Sequence, residues 1–513
     1  MRRFFASVLA CSIAVAAAPL SPASSQGTRD ESANAEDPGE RYFQNLFAGR
    51  FDEALAAANA FPRDLPTVEA RALVMAMRAG ALLGLKRDSE AKRLVAEIER
   101  LKVHDPYPYA LLFNAAMIAE RYDIAADSFD ILLARFPDAA REQEPDFVSY
   151  LLRNAPKDQE RRNDDRRIAL ARIGFGGDTP TADWHAFNAI GLLLERGDVT
   201  AAQDLLRYVD EVDAIETMLI NKRYSALWPN LEQRVGPHLA KVKETSVASA
   251  QRAYAENPDD SRSLAILVEA YRNAGRLDDA IALRSKLPGT PKEMSDADEQ
   301  LGWAVNNVAL AMFEASRLDE GDQLFALLNE APMAEGRGRW RVNMIINRLE
   351  ALAAAGRFDR ALALVDATEK SAREDGNAYA QQLVRRLKFC ILASLGRTVD
   401  AAKVLPAMLD HADDAIRATI EGLLCAGEVD KAEQIAVRML TDPKLDKARK
   451  SQWEEDLVAA LQSIPLSNSD PSVWAKSWTS LRERPAIAAA YTRLGRDMPT
   501  QFLPERRSAP IAN

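Results

Sequence analysis

Apolar side chains recur along the chain at the spacing of a helix, in stretches that come in pairs. Leu264, Leu267 and Tyr271 follow one another at intervals of three and four residues, which places them on one face of an α-helix. A short polar phrase separates each such helix from the next apolar stretch. The pattern predicts amphipathic helices that pair as hairpins and bury their apolar stripes against each other.

The polar phrase repeats along the chain as Gly-Arg-(Leu/Phe)-Asp-x-Ala. Its copies start at Gly49, Gly197, Gly275, Ser316, Gly356, Gly396 and Gly427, with weaker copies at Lys86 and Glu120. From Gly275 onward, and again from Gly49 to Glu120, neighbouring copies are spaced roughly 30–40 residues apart, a period that indicates a solenoid of stacked helical units.

Each position of the phrase has a mechanical reason. Glycine adopts the left-handed conformation that ends a first helix, and the apolar residue two places later covers that end. The Asp that follows caps the second helix or favours its start electrostatically. The alanine two residues further on is small enough to let the paired helices approach. We therefore expect a tight junction between antiparallel helices at every copy.

At these residues the chain resembles the tetratricopeptide repeat (TPR) family, whose unit is a helix–turn–helix of about 34 residues. The best copy lies between residues 109 and 137, where the matching positions are Tyr109, Leu112, Tyr122, Ala125, Phe129, Leu132 and Pro137. Several copies lack the Gly or the closing Pro, and the period drifts to a value longer than that of the family. The resemblance covers roughly residues 37 to 440, with poor matches between Pro137 and Asp183, and implies a right-handed α-solenoid.

Composition agrees with an all-α fold, because aromatic residues make up only 7% of the 513 residues and Ala, Leu, Arg and acidic residues are abundant. Charge, Gly and Pro interrupt the helical pattern after residue 137, and a tryptophan-rich stretch after residue 440 fits a terminal cap. The predicted organisation is a signal peptide (1–25), a disordered linker (26–36), N-terminal TPR-like repeats (37–137), degenerate hairpins with loops (138–240), C-terminal TPR-like repeats (241–440), a helical cap (441–498) and a disordered tail (499–513).

The first residues have the layout of a cleaved secretory signal. Arg2 and Arg3 precede a short apolar run that ends in small residues, and cleavage after Ser25 fits best. Lipidation at Cys11 is the less favoured alternative. Cleavage changes the formal net charge from −10 to −12, and an acidic chain argues against nucleic acid and anionic lipid as partners. We expect a soluble protein, without a transmembrane helix, in the periplasm of a bacterium or secreted from it.

Cys390 and Cys425 are the two cysteines of the expected mature chain, and their separation is near one repeat length. Disulfides form in an oxidising compartment, but spacing alone does not settle connectivity. We favour two small buried thiols and keep a disulfide between neighbouring helices as the alternative.

The sequence shows no catalytic or metal-binding pattern. None of the four histidines lies four residues from another, no nucleophile elbow is present, and the glycine-rich segment 174–177 lacks the ending of a phosphate-binding loop. His185 beside Trp184 is expected to pack or to face solvent. The basic segment 336–341 fits a solvated turn better than a site for an acidic ligand. We therefore predict no enzyme activity, no metal and no cofactor.

The resemblance implies that first helices of successive units form an inner face. The junction register then gives the candidate ligand- or peptide-binding residues Arg272, Trp303, Asn306, Asn307, Asn343, Asn347, Arg386 and Arg417. The same register adds Asn114, Trp184, Asn188, Arg262, Glu269, Asn273, Glu350 and Glu421, and brings Cys390 and Cys425 beside this face. Asn side chains can hold an extended peptide backbone, Trp303 can anchor a ligand, and the two last arginines can take a carboxylate. The alternative is a concave surface that is merely solvated.

The favoured function is an exported, non-catalytic scaffold or adaptor of the cell envelope that binds a protein or peptide on its concave face. One alternative is an enzyme of envelope polysaccharide or peptidoglycan, with acidic residues of the stretch 138–183 or the C-terminal tryptophans at its site. Another alternative is a self-associating structural spacer.

Overall fold

A computed structural model describes residues 37–62, 64–155, 160–177, 180–331, 339–445, 447–462 and 475–503, with backbone only for 180–181, 447–449 and 475–477. The predicted signal peptide, the predicted linker and residues 504–513 of the predicted tail lie outside the described residues. The chain divides into two compact units, of which the first ends at Leu193 and the second begins at Leu194. The repeat spacing does not indicate this boundary.

The first unit is a row of helices joined by short turns. Its helices are α1 (Pro38–Phe47), α2 (Phe51–Asn59), α3 (Val68–Gly84), α4 (Asp88–Leu101), α5 (Tyr107–Ile118), α6 (Tyr122–Arg135), α7 (Pro137–Arg141), α8 (Pro145–Asn154), α9 (Glu160–Arg172) and α10 (Pro180–Glu195), the last of which runs through the boundary.

The hairpins of the first unit pack through small and apolar side chains. Helices α1 with α2, α3 with α4 and α5 with α6 pair, and the first helices α3 and α5 pack against each other. A Cβ added at Gly80 of α3 would lie 2.6 Å from the Cβ of Ala115 on α5, so this crossing requires a glycine. The rings of Phe113 and Phe129 meet between α5 and α6 with centroids 5.0 Å apart. The core is continuous from Tyr42 to Phe175.

The second unit contains the clearest repeats. Its helices are α11 (Val199–Leu205), α12 (Val212–Ile220), α13 (Trp228–Val235), α14 (Ala240–Glu256), α15 (Ser261–Asn273), α16 (Leu277–Ala282), α17 (Pro291–Ser295), α18 (Glu299–Glu314), α19 (Leu318–Glu330), α20 (Arg341–Ala354), α21 (Phe358–Glu374), α22 (Ala378–Ser394), α23 (Thr398–Asp410), α24 (Ile416–Cys425), α25 (Val429–Thr441), α26 (Lys447–Ala460), α27 (Ala475–Arg482) and α28 (Pro485–Leu494).

The predicted all-α class and the predicted helix hairpins are confirmed in both units. In the second unit the hairpins are α15 with α16, α18 with α19, α20 with α21, α22 with α23 and α24 with α25. Within the described ranges there is no β-strand, only an isolated bridge between Asn221 and Gly495. None of the described helices combines the length and the apolar character that crossing a bilayer requires.

All nine predicted junctions have left-handed backbone. The first residue of each copy has φ between 56° and 77°, including the non-glycine residues Lys86, Glu120 and Ser316. At Gly275 the next amide, of Arg276, donates to the carbonyl of Tyr271 at 2.8 Å, and the amide of Gly275 donates to Arg272. These two bonds close the first helix as a Schellman motif does. The repeated phrase is therefore a helix terminator, as the sequence predicts.

The Asp of the phrase does not cap the second helix through its side chain. It lies inside the first turn, as Asp278 does in α16, while the arginine of the phrase occupies the N-cap without a capping hydrogen bond from its side chain. That arginine instead binds a carboxylate three residues on, for example Arg276 to Asp279 at 2.6 Å and Arg317 to Glu320. Asp278 thus stabilises the start of α16 through the helix dipole, and Arg276 stabilises the turn through its ion pair with Asp279.

The small residue of the phrase lies in the interface of its hairpin. The alanines at this position are buried in every copy that has one, namely Ala54, Ala91, Ala125, Ala202, Ala280, Ala361, Ala401 and Ala432. The copy at Ser316 has Gly321 instead, and a Cβ added there would lie 2.7 Å from the Phe313 ring and 2.9 Å from the Ala309 carbonyl oxygen. Close approach of the two helices therefore sets this residue type.

The segments next to the repeats also form helices. Residues 138–195 contain α8, α9 and α10, and residues 441–503 contain α26, α27, α28 and a 3-10 turn from Thr500 to Phe502. Phe502 is buried, although it belongs to the stretch for which the sequence predicts a tail. The domain limits within the chain otherwise stay predictions.

Candidate functional site

The first helices of the second unit form one continuous layer. Contacts run from α15 to α18, α20, α22, α24 and α26, then from α26 to α12, from α12 to α14 and from α14 back to α15. Because this circuit closes, the eight helices surround a common axis, and the faces that they turn toward it are called the inner face here. The inner face is where the sequence places the candidate binding residues.

Asparagines on the inner face are joined into a network across three helices. Nδ2 of Asn347 donates to Oδ1 of Asn306 at 3.0 Å, and Nδ2 of Asn306 lies 3.4 Å from Oδ1 of Asn307. Nη1 of Arg272 reaches the same oxygen of Asn307 at 3.5 Å, while its Nε binds Glu314 at 2.7 Å. Asn306 and Asn307 are buried. The network links α15, α18 and α20, and its side chains hydrogen-bond to one another.

Arg386 is held by carboxylates from two neighbouring helices. Its side chain is only 4% exposed, with Nη2 2.8 Å from Glu350 on α20 and Nη1 3.2 Å from Glu421 on α24. Burial lowers the pKa of the guanidinium, the two carboxylates raise it, and the net direction is upward. The sequence predicts that Arg386 binds a ligand carboxylate, whereas the structure places the protein's own carboxylates there.

Arg417 and Tyr379 present the accessible part of this cluster. Arg417 is exposed and its Nε binds Glu421 at 3.0 Å. Tyr379, at the start of α22, is 55% exposed. Burial of its hydroxyl raises the pKa of Tyr379, and the charges of Arg386, Asp456, Arg417 and Glu350 act on it in turn. An exposed aromatic ring thus stands among charged groups from four first helices.

The other predicted binding residues have different environments. Asn343 is exposed, whereas Trp303 is half-buried against the core between hairpins, with its Nε1 3.5 Å from Glu299. Trp303 therefore fits the packing role that the sequence also allows. In the first unit Trp184 is 45% exposed, and Asn188 donates to its carbonyl oxygen at 2.7 Å.

Three carboxylates on α12 and α15 have raised pKa values. Burial raises the pKa of Glu216 to about 8, with Asp213 raising it further and Lys243 lowering it. Desolvation by the surrounding protein also raises the pKa values of Asp213 and Glu269, although both residues are exposed. Glu216 is thus largely protonated at neutral pH. Sequence reasoning missed Asp213 and Glu216, because α12 carries no copy of the repeated phrase.

A disulfide joins Cys390 on α22 to Cys425 on α24, with the two Cα atoms 5.4 Å apart. The sequence favours two free thiols and leaves a disulfide as the alternative. The structure has the disulfide. Each cysteine lies four residues, one helical turn, beyond a member of the ion pair between Arg386 and Glu421. The disulfide and the ion pair therefore fasten the same two inner helices side by side.

Two other features singled out in the sequence are parts of the core. His185 is 1% exposed between the rings of Phe175 and Trp184, and burial lowers the pKa of His185 to about 4. Arg341, the last residue of the basic segment 336–341, is buried and donates to the carbonyl oxygen of Ala331 at 2.9 Å. Residues 336–338 lie outside the described part of the chain.

The described residues offer no metal site of three or more His, Cys, Asp or Glu side chains. Of the C-terminal tryptophans, Trp453 and Trp478 are buried, and Nε1 of Trp453 donates to the carbonyl oxygen of Ala436 at 3.3 Å. Neither ring is free to stack on a sugar. The described tryptophans of this cluster thus belong to the hydrophobic core. An enzyme site would need other side chains.

No protein-family model and no curated protein matches the sequence. Among solved structures, the structure of Naa15/Naa10 bound to HypK-THB is 15% identical, and the match covers 86% of this chain and 72% of that chain with a TM-score of 0.22. The crystal structure of the P58(IPK) TPR domain is 13% identical, with coverage of 82% and 96% and a TM-score of 0.18. At such scores the assignment rests on the chain's own junctions and hairpins. By these, the chain is an α-helical repeat protein of stacked hairpins, and its junctions resemble those of the TPR family.

Proposed function

We propose that the chain is an exported, non-catalytic scaffold that binds a protein or peptide partner on the inner face of its second unit. The observation that carries this proposal is the exposed ring of Tyr379 among Arg417, Asp456 and Glu350, on four helices that pack in one layer. An aromatic ring beside an arginine is a typical anchor for a polypeptide. The asparagine network and the Arg386 cluster keep this surface rigid beneath the partner.

Affinity capture with the full exported chain, followed by mass spectrometry, tests the binding role. Tyr379→Ala and Arg417→Ala remove accessible groups without opening the core. We expect each to weaken recovery of the partner roughly tenfold, the effect of losing a modest hot spot. Val399→Ala is the control, because Val399 is 72% exposed on the second helix α23. Equal recovery with all three variants, or no reproducible partner, contradicts the proposal.

The export part of the proposal rests on the predicted signal, which lies outside the described residues. Intact-mass measurement of the protein purified from a periplasmic fraction tests it. We expect a chain that begins at Gln26 and retains the Cys390–Cys425 disulfide. A cytoplasmic protein that keeps Met1 contradicts the proposed location within the cell envelope.

An acid–base enzyme is the second candidate, favoured by one observation. The pKa of Glu216 is raised to about 8 beside Asp213, and shifts of this kind cluster at catalytic sites. Hydrolysis of purified peptidoglycan or envelope polysaccharide that disappears in Glu216→Gln supports this candidate. Absence of turnover in the native protein, together with a Tyr379-dependent partner, supports the scaffold.

A further inference from the structure

We infer that the ring of first helices has a seam, where residues 218–239 meet α26, α28 and residues 495–503, and that the second unit opens there. The seam joins the start of the unit to its end. Asn221 forms an antiparallel bridge with Gly495, and the amide of Arg496 donates to the carbonyl oxygen of Ile220 at 2.9 Å. The terminal helices thus close on the beginning of the unit instead of capping a free end.

Arg496 makes several contacts across the seam. Its Nε donates to the carbonyl oxygen of Leu219 at 2.7 Å, and its Nη2 lies 2.7 Å from Glu232. The guanidinium carbon lies 3.5 Å from the centre of the Trp228 ring, in cation–π contact. The Arg496 side chain therefore contacts Leu219, Trp228 and Glu232 across the seam.

A second group of polar contacts joins the 3-10 turn Lys222–Leu227 to the last helices. Nη1 of Arg223 lies 2.7 Å from Glu455 and 2.7 Å from the hydroxyl of Ser451, both on α26. Nζ of Lys222 donates to the carbonyl oxygen of Thr492 at 2.5 Å. These bonds depend on a few long side chains, so they can break without unfolding a helix.

Backbone strain adjoins the far end of the seam. His238 and Leu239 are consecutive non-glycine residues in the left-handed region, with φ of 53° and 59°. Nδ1 of His238 bonds to the carbonyl oxygen of Leu503 at 2.6 Å, and Leu239 is buried. Such strain persists only where surrounding contacts hold it, and its release favours the open state.

Several other neighbours in the ring share an apolar core or a disulfide. Continuous apolar cores link α15, α18 and α20, and α20, α21 and α22, along their lengths, and a disulfide adds to the contact of α22 with α24. Opening between those helices exposes a continuous hydrophobic core, whereas opening at the seam begins with the polar contacts of Arg496 and Arg223 and then exposes the buried Ile220 and Phe502. The seam is therefore where a partner gains entry from the side.

Hydrogen exchange of the native full chain tests this inference without any partner. We expect the amide of Arg496, which donates to the carbonyl oxygen of Ile220 across the seam, to exchange faster than the amides inside α18 and α22. Arg496→Ala should speed exchange at the seam roughly tenfold or more, because a charged hydrogen bond and a ring contact are lost. Arg493→Ala is the matched control, since Arg493 is exposed on α28 and pairs with Glu454 on the same side of the seam.

Two results overturn the inference. One is an Arg496 amide that exchanges no faster than the amides inside α18 and α22 in the native chain. The other is an Arg496→Ala effect spread evenly over the second unit, or an equal effect of Arg493→Ala. If Arg496→Ala does not fold, Glu232→Gln tests the same contact, because it weakens the ion pair with Arg496 and keeps the size of the side chain. Only side entry of a partner rests on the proposed function, so a failed capture experiment leaves the exchange result intact.

Discussion

Replacement of Gly321 by alanine tests whether hairpin packing or intrinsic helix propensity controls the small position of the repeat. Gly321 lies inside α19, where alanine would by itself favour the helix by about 1 kcal/mol. The added Cβ would lie 2.7 Å from Cδ2 of Phe313 and 2.9 Å from the carbonyl oxygen of Ala309. Ordinary contact needs roughly 0.7 Å more, and overpacking of this kind costs about 1–3 kcal/mol. We expect a net loss of about 1 kcal/mol.

Urea unfolding followed by tryptophan fluorescence measures this loss, because Trp303 and Trp340 pack against the same core as Phe313 and Phe325. Gln323→Ala is the control: the side chain is exposed on α19, so its replacement changes propensity alone and should stay within about 0.5 kcal/mol of the native chain. If Gly321→Ala stabilises the second unit by about 1 kcal/mol, the helices are not in close contact and the packing argument fails.

Three further outcomes follow from the junctions, the buried histidine and the disulfide. Ser316→Gly should stabilise the second unit by about 0.5–1 kcal/mol and Gly356→Ala should destabilise it by about 1 kcal/mol, because both residues have positive φ; paired thermal melts measure the difference. The pKa of His185 falls from 6.5 to about 4 on folding, so native stability is full above pH 6.5 and declines by roughly 3 kcal/mol down to pH 4; a His185→Phe variant with the same decline contradicts this. Reduction of Cys390–Cys425, whose partners are separated by 35 residues, should cost about 2–4 kcal/mol in urea unfolding, and an unchanged midpoint contradicts it.

The hairpin junctions could be predicted from sequence because their cause is local. A left-handed residue, an apolar cover and a small residue act within one turn of chain, so even Lys86, Glu120 and Ser316 could be found by analogy. The role of the arginine after the glycine was missed. Its ion pair with an acidic residue three places on, as in Arg276 with Asp279, is visible in the sequence once the start of the second helix is known.

The sequence predicts which helix positions belong to the inner face, but it does not predict which of their side chains are exposed. Asn306 and Asn307 lie on the predicted helix, yet neighbouring first helices cover them, and Arg386 is engaged by Glu350 and Glu421. Burial of this kind depends on the crossing of helices from different repeats, which no local pattern encodes. Closure of the ring is more remote still, because the bond between Ile220 and Arg496 joins the first helices of the second unit to its last residues.

The first helices of the second unit close into a ring around one inner face. Pulsed electron paramagnetic resonance tests it directly with spin labels on Gln233→Cys and Arg493→Cys, in a chain with Cys11→Ser and the native disulfide intact. Gln233 is next to Glu232, which binds Arg496 across the seam, so a closed ring gives one main label distance below roughly 30 Å. An open row of eight helices spaced about 8–10 Å apart would instead give roughly 60 Å or more, and that distance would rule out the closed ring.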